Sequence, residues 1–259
     1  MHWILDNNIF EEEGFDRLKS ALERMGVSHS SHKSIPFSGE ITDREPLDDL
    51  LGKGTRFYVM GSYSLTNWAV REGFLHPKFV QNLDFETQRV AWGDRMLNSD
   101  ARVMKVRFIP EQRHPFFLRP VLDTKSFTGQ VFDWPEFTEW RERIAAADSE
   151  QVNLDTLVML CSKKAIHTET RCWVVNGRVA TRSGYKVGTI KRYTDPELVD
   201  DAIVQFAAER AADWSPNPAY VMDIAETPAG LRIVEVNNLN SAGLYRGDMQ
   251  KLVNQIERL

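Results

Sequence analysis

Three oxygen-bearing side chains near the end of the sequence have the types and spacing of a magnesium site. Asp223, Glu235 and Asn237 belong to two β-rich stretches that flank a turn containing proline and glycine. If the turn centres near Ala229, Asp223 faces Glu235 across a hairpin, with Cβ atoms about 5.5 Å apart. Two carboxylates that close repel unless a cation or a proton lies between them. Magnesium takes one or two carboxylates and completes its shell with water and nucleotide phosphates.

Strand alternation predicts that four residues of the second stretch share one face, which passes from core to site along its length: Leu231, Ile233, Glu235 and Asn237. The alternative is that the acids form a solvated strand end and that Asn237-Asn238 is a turn. Spacing alone leaves both interpretations open.

A nucleotide-magnesium site also needs cations that balance the phosphates. The run 118–129 places Arg119 at a strand end and follows it with a polar loop that contains Lys125, Ser126 and a glycine. Such a loop has a composition able to fold over phosphates. A solvated basic face is the alternative interpretation.

A second basic cluster lies in the predicted hairpin that begins near residue 167. Arg171 alternates with apolar neighbours, so if it points inward it requires an anionic partner. Arg182 and Lys186 follow on the returning strand. Here too, a solvated basic strand face is the alternative.

Composition excludes several classes of protein. The 259 residues are 42% hydrophobic and 27% charged, as in ordinary globular enzymes, and the net charge is -5. An acidic chain is poorly suited to binding a nucleic-acid backbone. No run approaches the about 20 apolar residues that span a bilayer, and no signal peptide is visible, so we expect a cytoplasmic protein. Cys161 and Cys172 lie in strand-like segments and are predicted to be buried.

The elements that must position these residues alternate between strand-like and helix-like patterns, which indicates an α/β (α+β) protein. Asn176-Gly177 between two β-rich runs is the strongest hairpin signal. The stretch 34–54 is predicted as a loop with at most one helical turn, and a helix is predicted from Asp195-Pro196 to about residue 212. We predict three parts: an α/β unit at 1–88, a mixed unit at 89–164 and a hairpin-rich unit at 165–259.

Three blocks of sequence resemble a small clade of the ATP-grasp superfamily, one named for a characteristic arginine and two lysines. The first is 117–129, the second is 169–179 with its Glu-x-Arg strand and hairpin, and the third is 220–243 with its metal-binding end. The blocks occur in the family's order over about residues 90–259, and three ordered blocks are more specific than any one. The first 88 residues match only as the α/β lobe that often precedes an ATP-grasp module.

The resemblance implies an ATP-grasp fold, in which two lobes with antiparallel sheets hold ATP between them after a small α/β lobe. It also implies roles by position. Magnesium ligands would be Asp223, Glu235 and Asn237; catalytic groups would be Arg171, Lys125 and Lys186; nucleotide contacts would be Arg119, Lys125, Ser126, Cys161, Lys163, Arg171 and Lys186.

Proteins of this kind typically activate a carboxylate with ATP and Mg²⁺, and an amine or thiol then attacks the acyl phosphate. The implied function is an ATP-dependent carboxylate–amine ligase acting on a small molecule or peptide, with no nucleic-acid or membrane partner. Two alternatives remain, a phosphotransferase on the same fold and a non-catalytic nucleotide-binding module. The first 88 residues are expected to help bind substrates, with Tyr63, Asn67, Trp68 and Arg71 as a polar-aromatic rim. The sequence predicts neither the substrates nor the oligomeric state.

Overall fold

The computed structural model describes residues 1–7, 13–35, 39–80, 84–121, 127–147, 149 and 151–259. The chain forms two compact units, of which one comprises residues 1–83 with 166–259 and the other comprises residues 84–165. Among the described helices, none is both long and apolar enough to cross a membrane.

The first part of the chain builds a small parallel sheet flanked by helices. Its elements are β1 (His2–Asp6), α1 (Glu13–Arg24), β2 (His29–His32), β3 (Ser34–Ile35), β4 (Glu40–Ile41), α2 (Glu45–Gly52), β5 (Phe57–Met60) and α3 (Tyr63–Arg71). The parallel sheet has the order β2-β1-β5. Every residue of β1 and β5 is buried, as expected for parallel strands covered on both faces.

The stretch 34–54 is more ordered than the sequence predicts. It contains the short β3–β4 hairpin and the eight-residue α2, where a loop with at most one helical turn is predicted. Pro46 lies in the first turn of α2, where its missing N–H costs nothing. Leu47 is buried and anchors the helix to the core. The local sequence pattern does not predict this helix, because the helix depends on contacts with residues far away in the sequence.

The prediction that residues near 63–71 form a polar-aromatic rim is wrong for Trp68. These residues form α3, which begins after Ser62, whose Oγ accepts a hydrogen bond from the Leu65 N–H at 3.2 Å. Trp68 is only 2% exposed and stacks on Phe74 with ring centroids 4.9 Å apart. Trp68 is therefore a core residue and does not line a surface rim.

A chain of hydrogen bonds crosses one edge of the parallel sheet. The Nδ1 of His32 lies 2.8 Å from the Thr42 carbonyl, which only accepts, so this nitrogen carries a hydrogen. With neutral rings, the Nε2 of His32 then accepts from Ser30 Oγ at 2.7 Å, and Ser30 accepts from the Nε2 of His2 at 2.8 Å. The Nδ1 of His2 in turn accepts from Ser28 at 2.7 Å. Every member is satisfied when both imidazoles are neutral.

We expect this chain of hydrogen bonds to make stability depend on pH near neutrality. Burial lowers the pKa of His2 below its ordinary value near 6.5, and His32, His29 and the N-terminal ammonium lower it further. A lowered pKa means that the stabilisation is complete above the ordinary value and is lost as the pH falls through the lower folded value. The melting temperature should therefore fall as the pH drops below about 6.5, towards the lowered pKa of His2. His2→Gln should weaken this dependence, whereas His114→Gln, at an exposed position, should retain it.

The second compact unit is an antiparallel sheet packed against one long helix. Its elements are α4 (Phe85–Trp92), β6 (Arg102–Lys105), β7 (Phe116–Pro120), β8 (Gln130–Phe132), α5 (Trp134–Ala147) and β9 (Leu157–Ser162), with sheet order β6-β9-β7-β8. Phe137 of α5 is fully buried and meets Phe116 edge to face at 5.4 Å. Leu118 and Leu160 face the same core.

The last part of the chain forms a five-stranded antiparallel sheet. Its elements are β10 (Thr168–Val175), β11 (Arg178–Val187), β12 (Ile190–Thr194), α6 (Asp201–Asp213), β13 (Ala219–Thr227), β14 (Gly230–Asn238) and α7 (Met249–Ile256), with order β12-β11-β10-β13-β14. The predicted Asn176-Gly177 turn is confirmed. Both residues have positive φ, 48° and 71°, as the two-residue hairpin turn requires.

Helix α6 begins later than the sequence predicts. Asp195-Pro196 opens a short 3₁₀ turn instead, and α6 starts after Asp200. The Oδ1 of Asp200 accepts from the Ala202 N–H at 2.8 Å, so this second aspartate is the true cap.

The first and last parts of the chain share one hydrophobic core. Trp3 and Leu5 of β1 belong to the same buried cluster as Trp173 and Val221 of the five-stranded sheet. The indole Nε1 of Trp3 also donates to Glu257 at 2.6 Å. The compact units divide near residues 83 and 165, and the predicted three-part division at 88 and 164 stays a prediction.

Candidate active site

One face of the five-stranded sheet changes from apolar to polar along its length. At one end this face carries Trp173 and Val221, which join the core shared with β1. Two residues further along each strand are Arg171 and Asp223, which pair directly across β10 and β13. Glu235 pairs with Asp223 from the other side. The predicted polar residues therefore meet on three adjacent strands.

A β-bulge sets this register. The β13–β14 hairpin closes with a two-residue turn, so strict alternation would place Asp223 opposite Val234. A register shift next to Asp223 inserts one residue and brings Glu235 opposite, which confirms the predicted pairing. The prediction that Leu231 and Ile233 share the face of Glu235 is wrong. They lie on the far side of the bulge and point to the other face of the sheet.

Arg171 and Asp223 form a buried, two-pronged ion pair. Nε and Nη2 of Arg171 donate to the two carboxylate oxygens of Asp223, both at 2.8 Å. The side chains are only 8% and 1% exposed. The inward-pointing arginine therefore has the anionic partner that its position requires, and it is not part of a solvated basic face.

Burial and charge act on this pair in opposite directions. Burial opposes the charged form of Arg171, but the carboxylate of Asp223 raises its pKa above the ordinary value. Burial raises the pKa of Asp223, Arg171 opposes this shift, and the charges of Glu235 and Glu169 add to it. Burial is the largest cause of the raised pKa of Asp223, and the neighbouring carboxylates contribute negative charge that an added cation would offset.

A second acid on the same face is satisfied by two donors. Glu169, two residues before Arg171, is 5% exposed. Lys186 Nζ lies 2.6 Å from its Oε1, and the Tyr185 hydroxyl donates to its Oε2 at 2.7 Å. Burial raises the pKa of Tyr185, as do the charges of Asp223 and Glu169, so the hydroxyl keeps its proton and donates.

The oxygen atoms on β14 complete the polar face. Asn237 Nδ2 donates to Glu235 Oε1 at 3.1 Å, which leaves the amide oxygen of Asn237 as an acceptor. Each carboxylate oxygen has about two lone pairs, so an Asp223 oxygen that accepts from Arg171 retains capacity for a metal. In the described part of the chain, no group of three His, Cys, Asp or Glu side chains forms a metal cluster. The donor set fits magnesium as two carboxylates and one amide oxygen.

The segment that follows β14 folds back over Arg171. Nη1 of Arg171 donates to the Gly243 carbonyl at 3.2 Å, and the guanidinium carbon lies 4.7 Å from the ring centre of Tyr245. Tyr185 and Tyr193 stack on Tyr245 at 5.1 and 5.3 Å. Tyr245 itself has a φ of 42°, a strained conformation for a residue with a side chain.

Three of the predicted nucleotide contacts, Arg119, Cys161 and Lys163, belong to the second compact unit. Arg119 and Cys161 lie on the same face of the antiparallel sheet, since Phe117 pairs with Cys161 and precedes Arg119 by two residues. Burial, and secondarily Asp100, raises the pKa of Cys161 to about 12, so the thiol is not a nucleophile. Lys163 is exposed just beyond the end of β9.

Two of the predicted nucleotide contacts belong to the loop of the first basic cluster. Lys125 and Ser126 lie outside the described residues. Gly129, on the far side of that loop, packs closely on β7, and an added Cβ would lie 2.7 Å from the Phe117 ring and 3.1 Å from Arg119 Cβ.

Sequence reasoning missed Glu169, Tyr185 and Tyr245 as members of the site. Glu169 had a local signal, because a residue two positions before Arg171 in a strand must share its face. Tyr185 follows Ser183, the partner of Arg171, by two residues and so shares that face, while an irregularity in the β10–β11 register pairs Lys186 with Glu169. Tyr245 had no local signal, because its place depends on the fold-back of the chain after β14.

Comparison with known proteins finds a family match over most of the chain. Residues 52–256 match an ATP-grasp domain, the third family of the clade whose name stands for one arginine and two lysines. A comparison with curated proteins finds no significant match.

Solved structures share the fold over nearly the whole length of the chain. D-cycloserine synthetase DcsG matches with a TM-score of 0.62 and 14% identity, covering 100% of this chain and 99% of that one. Macrocyclase MdnC of Microcystis aeruginosa MRC, bound with precursor peptide MdnA, has a TM-score of 0.59 and 11% identity, covering 99% of each chain. D-alanine–D-alanine ligase of Bacillus anthracis complexed with ATP has a TM-score of 0.55 and 10% identity, covering 99% and 96%. These likenesses confirm the predicted ATP-grasp fold.

Proposed function

Because the chain belongs to the third family of this arginine-and-two-lysine clade of ATP-grasp domains, we propose that it is an ATP-dependent ligase that joins a carboxylate to an amine through an acyl phosphate. The observation that carries the proposal is the polar face on which Arg171, Asp223, Glu235 and Asn237 meet. Solved ATP-grasp structures that share the fold include ligases, which supports the same reaction class.

Arg171 is the group that we assign to the transferring phosphate. Three of its N–H groups donate to Asp223 and Gly243, so two of the five remain without a partner among the described residues. Asp223 and Tyr245 hold the guanidinium in place before substrate arrives. A fixed cation stabilises charge that develops during transfer without the cost of reorganisation.

Asp223, Glu235 and Asn237 would hold magnesium against the ATP phosphates. The pairing of Glu235 with Asp223 supports this assignment, because a divalent cation would offset the repulsion between the two carboxylates. Bound magnesium would neutralise phosphate charge and orient the γ-phosphate. Lys186, whose ammonium is half-exposed beside Glu169, is assigned as a second phosphate contact together with Lys125.

The proposed reaction has two steps. A substrate carboxylate oxygen attacks the γ-phosphorus of ATP, the bond to the bridging oxygen breaks, and ADP leaves. The amine then attacks the acyl carbon, phosphate leaves, and the amine releases a proton to solvent. In both steps, Arg171 and Lys186 position phosphate oxygens and balance their charge, and no side-chain nucleophile is required.

Hydroxylamine trapping tests this function. Hydroxylamine attacks an acyl phosphate, so incubating the protein with ATP, magnesium, a carboxylate substrate and hydroxylamine should yield a hydroxamate. The measurement is the colour of the ferric hydroxamate complex together with ADP release, over a panel of amino acids and peptides.

The matched control omits only the carboxylate, and ADP release should then fall to background. Steady ADP release with a stable phosphorylated product and no hydroxamate would instead identify a phosphotransferase. Nucleotide binding without any turnover would identify a non-catalytic module.

A further inference from the structure

A cavity lies beside the polar face, within the same compact unit. Its volume is about 280 Å³, and three chain segments line it: helix α1, the turn at 195–197 and the segment 246–250, which leads into α7. A space of this size accommodates a molecule about as large as an amino acid. Three arginines line the cavity, Arg17, Arg24 and Arg246.

The arginines have hydrogen-bond donors without acceptors. The Nε atoms of Arg17 and Arg246 are buried, and neither has a partner among the described residues. Arg24 is exposed, and the described residues offer it no ion pair. A buried donor left without an acceptor is unfavourable, and a bound anion would satisfy it.

Among the described residues, the acids that line the cavity leave the buried Nε–H groups of Arg17 and Arg246 without an acceptor. Asp248 caps α7 by accepting from the Lys251 N–H at 3.0 Å, and it also pairs with the Lys251 ammonium at 3.4 Å. Asp195 forms an ion pair with Arg246, but only through Nη1, at 3.4 Å, which leaves the Nε–H of Arg246 without an acceptor in the described part of the chain. Glu197 is exposed to solvent. Two buried arginine N–H donors beside the cavity therefore lack an acceptor within the described ranges, and a carboxylate oxygen would supply one.

The cavity connects to Arg171 through a single short segment. Arg17 Nη2 donates to the Tyr245 carbonyl, while the ring of Tyr245 lies over Arg171. Arg246 is the next residue. Gly14 lets α1 approach closely, because an added Cβ would lie 2.7 Å from Leu244 Cβ. One strained peptide thus contacts the cavity on one side and the assigned phosphate-binding arginine on the other.

We propose that this cavity binds a non-reacting carboxylate of a substrate, so that the ligase selects substrates carrying one negative group beyond those that react. The inference rests on the proposed function and adds a substrate class to it. That carboxylate has two sources, the side chain of an acidic substrate or the α-carboxylate of an amino acid whose amine reacts.

Direct binding of a small probe tests the cavity without turnover. Glutarate, titrated calorimetrically into the full chain, should bind, and neutral glutaramide should not. Arg246→Gln and Arg24→Gln should each weaken glutarate binding by about tenfold to a hundredfold, the usual loss for a hydrogen bond to a charged group. Arg24 is exposed, so its replacement does not threaten the fold. Arg178→Gln, at an exposed hairpin position, is the matched control and should bind normally.

Turnover with matched pairs identifies the source of the carboxylate. Faster ADP release with glutamate than with glutamine indicates the side chain, and faster release with alanine than with alaninamide indicates the α-carboxylate. Glutarate binding that is absent, or equal in the arginine variants and the wild type, overturns the proposal. Charge-dependent binding with no ADP release would refute the proposed ligase activity and leave the cavity assignment standing. ADP release that ignores substrate charge would refute the substrate class alone.

Discussion

Replacing Arg171 with methionine should lower ADP-forming turnover by about 10²–10³-fold, the usual loss when a fixed donor to developing charge is removed. The same change should destabilise the fold by about 3–5 kcal/mol, because it leaves the carboxylate of Asp223 buried without a partner. Turnover is measured by ADP release, and the free energy of unfolding by urea denaturation.

A second variant tests whether the unpaired charge causes the loss of stability. In Arg171→Met with Asp223→Leu, the unpaired buried charge is removed, so most of the lost stability should return. Turnover should stay low, because the assigned phosphate contact and an assigned magnesium ligand are both absent. Arg182→Met is the control from the opposite face of the sheet, where Arg182 pairs with the exposed Asp201. This control should change stability by at most about 1 kcal/mol and leave turnover intact. Full turnover in the stable double variant would contradict the role assigned to Arg171.

Replacing Glu235 with alanine should abolish magnesium-dependent binding of ATP, because it removes a carboxylate that we assign to the metal. Asn237→Ala should be milder and raise the magnesium concentration needed for half-maximal ADP release by about 10–100-fold. Binding is measured calorimetrically with ATP and magnesium, and turnover by ADP release across a magnesium titration.

Glu226→Gln is the matched control, because Glu226 belongs to the same strand as Asp223 but bonds to Thr168 near the strand end. Its magnesium requirement should equal that of the wild type. If ATP and magnesium still bind normally to Asp223→Ala with Glu235→Ala, the metal site has been assigned to the wrong residues.

Much of this site could be predicted because strands impose local rules. The pairing of Asp223 with Glu235 follows from a hairpin and its turn, and the Asn176-Gly177 signal follows from the need for positive φ. The sequence predicts a turn centred about one half-residue away from the actual one. The bulge at Val234 makes up the difference, which explains why the pairing is right and the assignment of Leu231 and Ile233 to that face is wrong.

The rest depends on contacts between distant residues. The sequence predicts that an inward-pointing Arg171 needs an anionic partner, but it does not identify Asp223 as that partner. The strands β10 and β13 are neighbours because of the sheet order and are not joined by a turn. The prediction for Trp68 fails because the same local pattern, an aromatic residue next to polar ones, occurs both at the rim of a binding site and in a buried core. The local sequence around Leu47 likewise does not predict helix α2, because the helix is stabilised by burying Leu47 in the core.

The shared core of the first and last parts of the chain bears on the order in which the protein folds during synthesis. Trp3 and Leu5 leave the ribosome before the second compact unit, and their core partners Trp173 and Val221 emerge only after that unit has been made. Residues 84–165 form a core of their own and have the contacts to fold first. Until the five-stranded sheet has been synthesised, one apolar face of the parallel sheet remains exposed. During this interval the nascent chain is most prone to aggregation.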